Sequence, residues 1–212
     1  MNNFGLVIIG AHSGVWLKSL FEEYQNQNIL LVEPVPYNIA LLKENTAKYK
    51  NISIETSAVS KKNQIKKFYY VKHDAVNKLG KHWASGIGSF DKQHILNHKN
   101  KRFAVSDLDI EEVDIQYLTF SDLIERYLIS SIDLLQIDVE GAELNVIKSL
   151  DFKRYKPQLI CIEIHNSKKM YDTNYDYLKS NNIYKYLINR KYKVVWKKKY
   201  SFIFERKNDK KN

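Results

Sequence analysis

The sequence predicts an α/β domain with a mostly parallel β-sheet and helices on both of its faces. Short apolar runs alternate with segments of helical period, which is the pattern of βαβ units. The first run, Phe4–Ile9, is apolar throughout, as expected of a strand covered on both faces. Gly10 and Gly14 follow it, where a parallel strand turns tightly into a helix. The 212 residues suit one domain, expected over 1–207, with a disordered tail at 208–212.

The strands are predicted from short apolar or alternating runs that end at turn residues. In chain order they are Phe4–Ile9, Ile29–Val32, Ile52–Glu55, Ile65–Val71, Glu112–Leu118, Ile132–Val139, Gln158–His165, Tyr192–Trp196 and Ser201–Glu205. Aromatic residues alternate with lysines through the last two strands, which indicates a sheet with its aromatic side chains in the core.

The helices are predicted from apolar residues at helical spacing. The first begins near Ser13 and carries Trp16, Leu17, Leu20, Phe21 and Tyr24 at that spacing. The second begins at Pro36, since proline is well tolerated in the first turn of a helix. Three more are expected at Phe120–Tyr127, Ala142–Leu150 and Ile183–Asn189.

Residues 73–104 interrupt this rhythm. They hold four of the six histidines (His73, His82, His94 and His98) together with three glycines and many lysines, without a clear period. A long stretch without a regular element is usually functional or mobile. We therefore expect an irregular, lid-like insertion here.

Composition limits the possible partners and compartment. The net charge of +10 could attract nucleic acid or an anionic surface, but lysine supplies nearly all of it and arginine occurs at only five positions. We favour lysine-rich composition as the explanation and do not expect nucleic acid as a partner. Cys161 lies in an apolar run and predicts a buried side chain in a reducing, cytoplasmic setting. The apolar run near the start is too short to insert into a membrane.

The turn after the first strand has the composition of a ligand-binding loop. Glycines at 10 and 14 allow close approach of a ligand, and the following helix offers free N–H groups. The dinucleotide fingerprint requires glycines where this chain has His12 and Val15, so NAD is disfavoured.

Glu33 ends the second strand, at the edge where the glycine turn also lies. A carboxylate at this strand tip can accept the hydroxyl protons of an adenosine ribose. The alternative is an ordinary solvated strand end. Because the turn and the acid occur in matching topology, we favour the ribose interpretation.

Two further carboxylates lie at the carboxyl end of the predicted strand at 132–139, one inside it and one just after it. Asp138 interrupts an apolar run at its carboxyl end, and strand alternation would place Glu140 on the same side. Such a pair suits a general base, an acceptor anchor or a metal site. The alternative is that Glu140 and Glu143 only cap the next helix, which leaves Asp138 unexplained.

Several motifs together resemble the FkbM family of S-adenosylmethionine-dependent methyltransferases. The motifs are Ile-Gly-Ala-His-Ser-Gly at 9–14, Val-Glu-Pro-Val-Pro-Tyr-Asn at 32–38, Ser-Ala-Val at 57–59, Gln-Ile-Asp-Val-Glu-Gly-Ala-Glu-Leu at 136–144 and Lys-Pro-Gln-Leu-Ile-Cys-Ile-Glu at 156–163. The closing Tyr-Lys-Val-Val-Trp and Tyr-Ser-Phe-Ile-Phe also match, so that the similarity spans about residues 4–206 in the family's order.

This resemblance implies a Rossmann-like class I methyltransferase fold with a seven-stranded sheet whose last strand is antiparallel. It also implies S-adenosylmethionine at the carboxyl ends of the first strands. By position, Gly10, Ala11 and Gly14 would line the methionine part, and His12 and Pro34 would also contact the cofactor. Glu33 would hold the ribose and Ala58 would lie near the adenine. Asp138 and Glu140 would face the reacting end, with Glu163 and His165 at the tip of the strand at 158–165. Gly86-Ile87-Gly88-Ser89 would turn over the site. The chain departs from the family at Ile8, where an acid is usual, and at His12, where asparagine is expected.

The expected reaction is methyl transfer to a hydroxyl of a sugar, a glycan or glycolipid, or a small metabolite. The candidate bases are Asp138, His165 and Glu140, in that order, and no metal is expected. A nucleic-acid methyltransferase, motivated by the charge and the Tyr/Lys-rich stretch at 184–200, is the first alternative. A cofactor-binding scaffold without catalysis, motivated by Ile8, is the second.

Overall fold

The computed structural model describes residues 2–80, 82–97, 105–164 and 176–207. The strands are β1 (Asn2–Ile9), β2 (Asn28–Val32), β3 (Ile52–Glu55), β4 (Ala58–Val59), β5 (Gln64–Val71), β6 (Gly88–Ser89), β7 (Ile110–Leu118), β8 (Ile129–Ile137), β9 (Leu159–Glu163), β10 (Tyr192–Lys198) and β11 (Ser201–Arg206). The helices are α1 (Lys18–Glu23), α2 (Pro36–Thr46), α3 (His73–Leu79), α4 (Lys92–Leu96), α5 (Phe120–Arg126), α6 (Glu143–Lys148), α7 (Asp176–Ser180) and α8 (Asn182–Ile188). Three 3₁₀ turns cover Val15–Leu17, His82–Gly86 and Asp107–Asp109.

The main sheet has seven strands in the order β3-β2-β1-β8-β9-β11-β10. All pairings among β1, β2, β3, β8 and β9 are parallel, whereas β11 is antiparallel to both of its neighbours. This confirms the predicted α/β fold with a mostly parallel sheet of seven strands and an antiparallel last strand. Consecutive strands without a βαβ crossover, such as β10 and β11, can reverse through a short turn.

The register of the sheet brings the strand tips level with one another. Ile9 at the end of β1 pairs with Val32 of β2 and with Ile137 of β8, and Val32 pairs with Glu55 of β3. The residues that follow these four tips therefore emerge side by side at one edge. In a parallel sheet this carboxyl edge is where ligands bind.

Two apolar layers cover the sheet, and β1 divides its side chains between them. Leu6 and Ile8 pack with Phe21 of α1 and Leu42 of α2 on one face. Their sequence neighbours point to the opposite face, where Val7 and Ile9 join a cluster that contains residues of α5, α6 and α8. Because alternate residues of a strand point to opposite faces, a continuous apolar run is required when both faces are covered.

A second sheet has four strands, in the order β4-β7-β5-β6. Strands β5 and β7 form a long antiparallel pair, and the chain between them carries α3, β6 and α4. We call the described residues 73–97 the cap. The cap has its own apolar core with β5 and β7, formed by Val71, Val76, Ile87, Ile95 and Ile110 among others.

The cap corrects one prediction, because the sequence indicated no regular element over 73–104. Helices of seven and five residues are present there, together with a two-residue strand. Elements this short span one or two turns, too few for a periodic apolar pattern, and they are stabilised by tertiary contacts rather than by propensity. Residues 81 and 98–104, which include His98, lie outside the described residues, as does the expected tail at 208–212.

The first predicted helix also differs from the structure. Gly14 has a left-handed backbone with φ of 75°, and a 3₁₀ turn at Val15–Leu17 precedes α1. This turn moves Trp16 off the buried face, and its side chain is 86% exposed. In the last two strands Tyr192, Phe202 and Phe204 are buried as predicted, but Trp196 is 44% exposed. Within the described ranges, no helix combines the length and the apolar character needed to cross a membrane.

Candidate active site

A cleft with two connected compartments opens at the row of strand tips. The inner compartment has a volume of about 180 Å³ and the outer one about 720 Å³. The residues that line both of them are Gly10, Glu33, Gly86, Asp138 and Glu140. Ligand pockets usually measure ~300–1,000 Å³. A ligand anchored in the inner compartment would therefore extend past these five residues into the outer one.

The inner compartment is mostly apolar. Its walls include Val35, Ala58, Phe68 and Tyr117, contributed by the second sheet and the segment before α2. Cap residues 88–91 close it from above. A space of this kind suits a flat, weakly polar ring. Pro34 and Ala58, two of the sequence-predicted cofactor residues, both lie in its lining.

The glycine turn is held by the tip of the neighbouring strand. Gly10 has φ of 91°, and a Cβ atom at this position would lie 1.8 Å from the carbonyl oxygen of Asp138. The N–H groups of Gly10 and Ala11 both donate to the carbonyl of Val32, at 2.9 and 3.0 Å. The turn therefore requires glycine for two reasons, the left-handed backbone and the close approach of β8.

Glu33 is buried at the boundary of the two compartments. One of its carboxylate oxygens accepts the N–H of His12 at 2.9 Å, and the other accepts the N–H of Val35 at 2.9 Å. Burial raises the pKa of the Glu33 carboxyl to about 7, against the opposing effect of these backbone donors. The Asn38 amide also donates to the oxygen that Val35 binds, at 3.5 Å. The oxygen that accepts from His12 keeps a second lone pair for a donor group of a ligand.

His12 links the glycine turn to the cap. Its backbone is left-handed, with φ of 51°, which is a strained conformation for a residue with a side chain. The ring Nε2 lies 2.6 Å from the hydroxyl of Ser85, and Nδ1 lies 3.2 Å from the hydroxyl of Ser13. Burial lowers the pKa of His12, which favours the neutral ring. A neutral imidazole has one donor and one acceptor nitrogen, which these two hydroxyls can satisfy.

Asn38 and Tyr37 are functional candidates that sequence reasoning did not single out. The amide of Asn38, fully buried in α2, donates to the carbonyl of Ser85 at 2.9 Å. The Tyr37 hydroxyl donates to the carbonyl of Val71 at 3.0 Å, at the end of β5 just before the cap. The available signal was that Asn38 closes the motif at 32–38 that contains Glu33 and falls in the first turn of a predicted helix.

Asp138 and Glu140 both line the two compartments, so the structure brings the predicted pair together. The physical reason differs from the predicted one. Strand β8 ends at Ile137, and Glu140 has a left-handed backbone with φ of 51°, so strand alternation does not orient the pair. Glu143 holds this turn, since its carboxylate accepts the N–H groups of Gly141 at 3.0 Å and Val139 at 3.3 Å. Glu143 therefore stabilises the turn before α6 without capping the helix, which begins after Ala142 with no side-chain cap. The role of Glu140 stays a prediction.

Another acid, Glu55 at the tip of β3, forms its hydrogen bonds within the protein. It accepts from the guanidinium of Arg126 at 2.8 Å and from the N–H and hydroxyl of Ser57. These donors outweigh burial and lower the pKa of the Glu55 carboxyl. The contact fixes the turn that leads to Ala58, and Glu55 lines neither compartment among the described residues.

The remaining residues singled out from the sequence either do not line this cleft or lie outside the described residues. His165 is outside the described residues. Glu163 lies in β9 and its carboxylate is 3.5 Å from the hydroxyl of Ser201 in β11. Burial raises the pKa of the Cys161 thiol to about 11, in keeping with a packing role. Over the described part of the chain, no cluster of three or more His, Cys, Asp or Glu side chains is arranged to hold a metal.

Comparison with solved structures gives the same architecture. A methyltransferase FkbM from Methylobacillus flagellatus KT aligns with a TM-score of 0.55 and 14% identity, over 96% of this chain and 43% of that one. The chain thus spans less than half the length of that protein. A fibrillarin/Nop5p complex aligns with a TM-score of 0.50 and 12% identity, over 97% of this chain and 73% of the other. At these identities the likeness concerns the fold alone.

Sequence comparison identifies the family. No curated protein matches the chain by sequence. The family model described as Methyltransferase FkbM domain matches residues 9–194, from the end of β1 into β10. That range contains the glycine turn, Glu33, the cap and the Asp138–Glu140 turn. The chain therefore belongs to the FkbM methyltransferase family.

Proposed function

We propose that this protein is an S-adenosylmethionine-dependent methyltransferase that methylates a hydroxyl oxygen of a small or carbohydrate-type acceptor. The observation that carries the proposal is the Glu33 carboxylate. It is buried where the two compartments meet, and its two oxygens are already oriented by the N–H groups of His12 and Val35. Burial raises the pKa of this carboxyl to about 7, so its charged form would be stabilised further by a ligand that donates to it.

The cleft fits the cofactor part by part. The ribose hydroxyls would donate to Glu33, and the adenine would occupy the apolar inner compartment beside Pro34 and Ala58. The methionine part would pass Gly10 and lie along the glycine turn in the outer compartment, where Ala11, His12 and Gly14 set the backbone. The N–H groups of Gly10, Ala11, His12 and Gly14 are bonded within the protein, so the carboxylate of the methionine part would meet the start of the following 3₁₀ segment instead.

The chemistry asks little of the protein beyond placement. The cofactor supplies a methyl group on a sulfonium, which leaves as a neutral thioether when the acceptor oxygen takes the methyl. Asp138 would accept the proton of that hydroxyl, since it lies at the shared wall of both compartments. Glu140 is the second candidate in this wall, and His165 remains a proposal from the sequence.

The charge of the cleft disfavours a nucleic-acid substrate. Among the described residues that line the two compartments there is no lysine or arginine, whereas Glu33, Asp138 and Glu140 line both. Binding of nucleic acid depends on cationic side chains that contact phosphates. The net charge of +10 is thus carried elsewhere on the described surface or in the residues outside it.

Ile8 gives no support to a degenerate scaffold. Its side chain is fully buried with Leu6, Phe21 and Leu42, on the face covered by α1 and α2. It therefore extends the core of the sheet. An acid at this position would meet an apolar layer in this structure, so isoleucine is the residue that the packing requires.

The cap would serve as the lid that the sequence suggested. Ser85 is attached to His12 and Asn38, and Gly86 lines both compartments. A cofactor that spans the two compartments would lie beneath this segment. Closure of such a segment excludes water and orders the bound groups.

The test is isothermal titration with S-adenosylhomocysteine, using Glu33→Ala as the control. Binding by the unmutated protein that is lost in the variant supports the proposal. Absence of binding in the unmutated protein, with its fold verified by circular dichroism, would contradict it.

A further inference from the structure

The outer compartment has an apolar wall that is unusually exposed. Trp16 is 86% exposed, and its neighbours in the wall, Val15 and Leu41, are 54% and 37% exposed. These side chains come from the 3₁₀ turn before α1 and from α2. An exposed apolar patch at the edge of a cleft marks a binding surface more often than an apolar residue exposed alone.

The rest of the lining includes several polar side chains. His73 and Asn77, one turn apart on α3 of the cap, line the same compartment, and Asp138 and Glu140 lie at the floor it shares with the inner compartment. No lysine or arginine contributes to this lining within the described ranges. The lining therefore combines an exposed indole with amide, imidazole and carboxylate groups.

We propose that the part of this compartment left beside the methionine part of the cofactor is the acceptor site and binds an uncharged carbohydrate ring stacked on Trp16; this inference rests on the methyltransferase function proposed above. A sugar ring has an apolar face of C–H groups and an edge of hydroxyls that both donate and accept hydrogen bonds. The apolar face matches Trp16, and the hydroxyl edge matches His73 and Asn77. A hydroxyl directed to the floor meets Asp138, where the proton would be taken up.

Other ligands match this chemistry less well. A nucleotide or a phosphorylated sugar would bring negative charge to a lining that holds carboxylates and, among the described residues, no cation. A purely apolar ligand would bury the polar groups of α3 without partners, which is unfavourable. An uncharged polyhydroxylated ring satisfies both walls.

The experiment uses fluorescently labelled full-length protein, saturated with S-adenosylhomocysteine, on an array of defined uncharged and anionic saccharides. Four proteins are compared: the unmutated chain, Trp16→Ala, Trp16→Phe and Trp196→Ala. Trp196 is the matched control because it is also an exposed tryptophan, at 44%, but lies on β10, away from the cleft. S-adenosylhomocysteine affinity is measured on the same preparations.

We expect the unmutated protein and Trp196→Ala to bind a subset of the uncharged saccharides, with an affinity insensitive to salt. Trp16→Ala should bind the same saccharides about tenfold more weakly, and Trp16→Phe should recover most of the loss. Equal binding by Trp16→Ala, or binding only of anionic saccharides, would overturn the inference.

The two proposals fail differently. An unmutated protein that binds S-adenosylhomocysteine but none of the saccharides contradicts the acceptor site alone. An unmutated protein that does not bind S-adenosylhomocysteine contradicts the methyltransferase function, and the acceptor role of the outer compartment with it.

Discussion

The ring Nε2 of His12 lies 2.6 Å from the hydroxyl of Ser85, which follows it by 73 residues in the chain. The carbonyl of the same serine accepts from the buried amide of Asn38 at 2.9 Å. One cap residue is thus bonded to both the glycine turn and α2. Since Glu33 accepts the N–H of His12, the cap, the turn and the candidate ribose ligand form one connected unit.

Loss of the Ser85 hydroxyl should loosen the cap. In Ser85→Ala the His12 ring loses one partner, and we expect faster amide hydrogen exchange over residues 82–97 and S-adenosylhomocysteine affinity reduced about three- to tenfold. Ser130→Ala is the matched control, because it removes a 2.6 Å side-chain hydrogen bond to Asn3 at the other end of the sheet. Equal exchange in the two variants would show that the His12–Ser85 contact does not hold the cap.

Cofactor binding should depend on pH through Glu33. Burial raises the pKa of this carboxyl to about 7, and ribose hydroxyls donate best to the charged form. The affinity for S-adenosylhomocysteine should therefore fall by up to about tenfold for each pH unit below 7 and level off at higher pH. Glu33→Gln, titrated over the same range by calorimetry, should bind weakly at every pH. A wild-type affinity independent of pH between 5 and 8 would contradict this assignment.

Stability should change with pH in the opposite direction. The pKa of Glu33 is raised by folding from 4.5 to about 7, so its contribution is complete below pH 4.5 and is lost as the pH rises to 7. Relative to Glu33→Gln, the unliganded protein should lose on the order of 3 kcal/mol of unfolding free energy across this window. Urea unfolding at a series of pH values measures the difference, and parallel curves for the two proteins would argue against the raised pKa.

Gly10 and Gly80 separate backbone strain from steric overlap. Both have positive φ, but a Cβ at Gly10 meets the Asp138 carbonyl at 1.8 Å, whereas at Gly80 no atom of the described residues lies within 4 Å. Gly80→Ala should cost about 1 kcal/mol of unfolding free energy from backbone strain alone. Gly10→Ala should cost at least about 2 kcal/mol more and weaken cofactor binding, because β1 and β8 must separate. Similar costs in the two variants, by denaturant unfolding, would contradict this account.

Asp138→Asn should separate binding from chemistry. The amide keeps the size of the carboxylate but does not accept a proton, so methyl transfer should fall about 10²- to 10⁴-fold while S-adenosylhomocysteine affinity stays within about threefold. Single-turnover transfer to a saccharide found on the array measures the rate. Glu140→Gln is the companion variant and should retain more activity. The reverse order would assign the base to Glu140.

The sequence determined the main sheet and the residues at its carboxyl edge. Continuous apolar runs such as Phe4–Ile9 occur where both faces of a strand are covered, and this local pattern is independent of distant contacts. Gly10 and Glu33 are predicted because each directly follows such a run, and Asp138 because it interrupts one at its carboxyl end. Parallel strands end at one edge, so residues that follow three adjacent strands must meet.

Tertiary structure alone decided the rest of the cleft. The bonds from Ser85 to His12 and Asn38 join residues 73 and 47 positions apart, and nothing in the local pattern of the cap specifies them. Trp16 matches the helical apolar spacing, yet the left-handed Gly14 and a 3₁₀ turn direct it outward. Periodicity shows whether apolar residues recur along the sequence with the period of a helix or of a strand. The surface it finally faces depends on how separate elements pack, and that is a property of the whole chain.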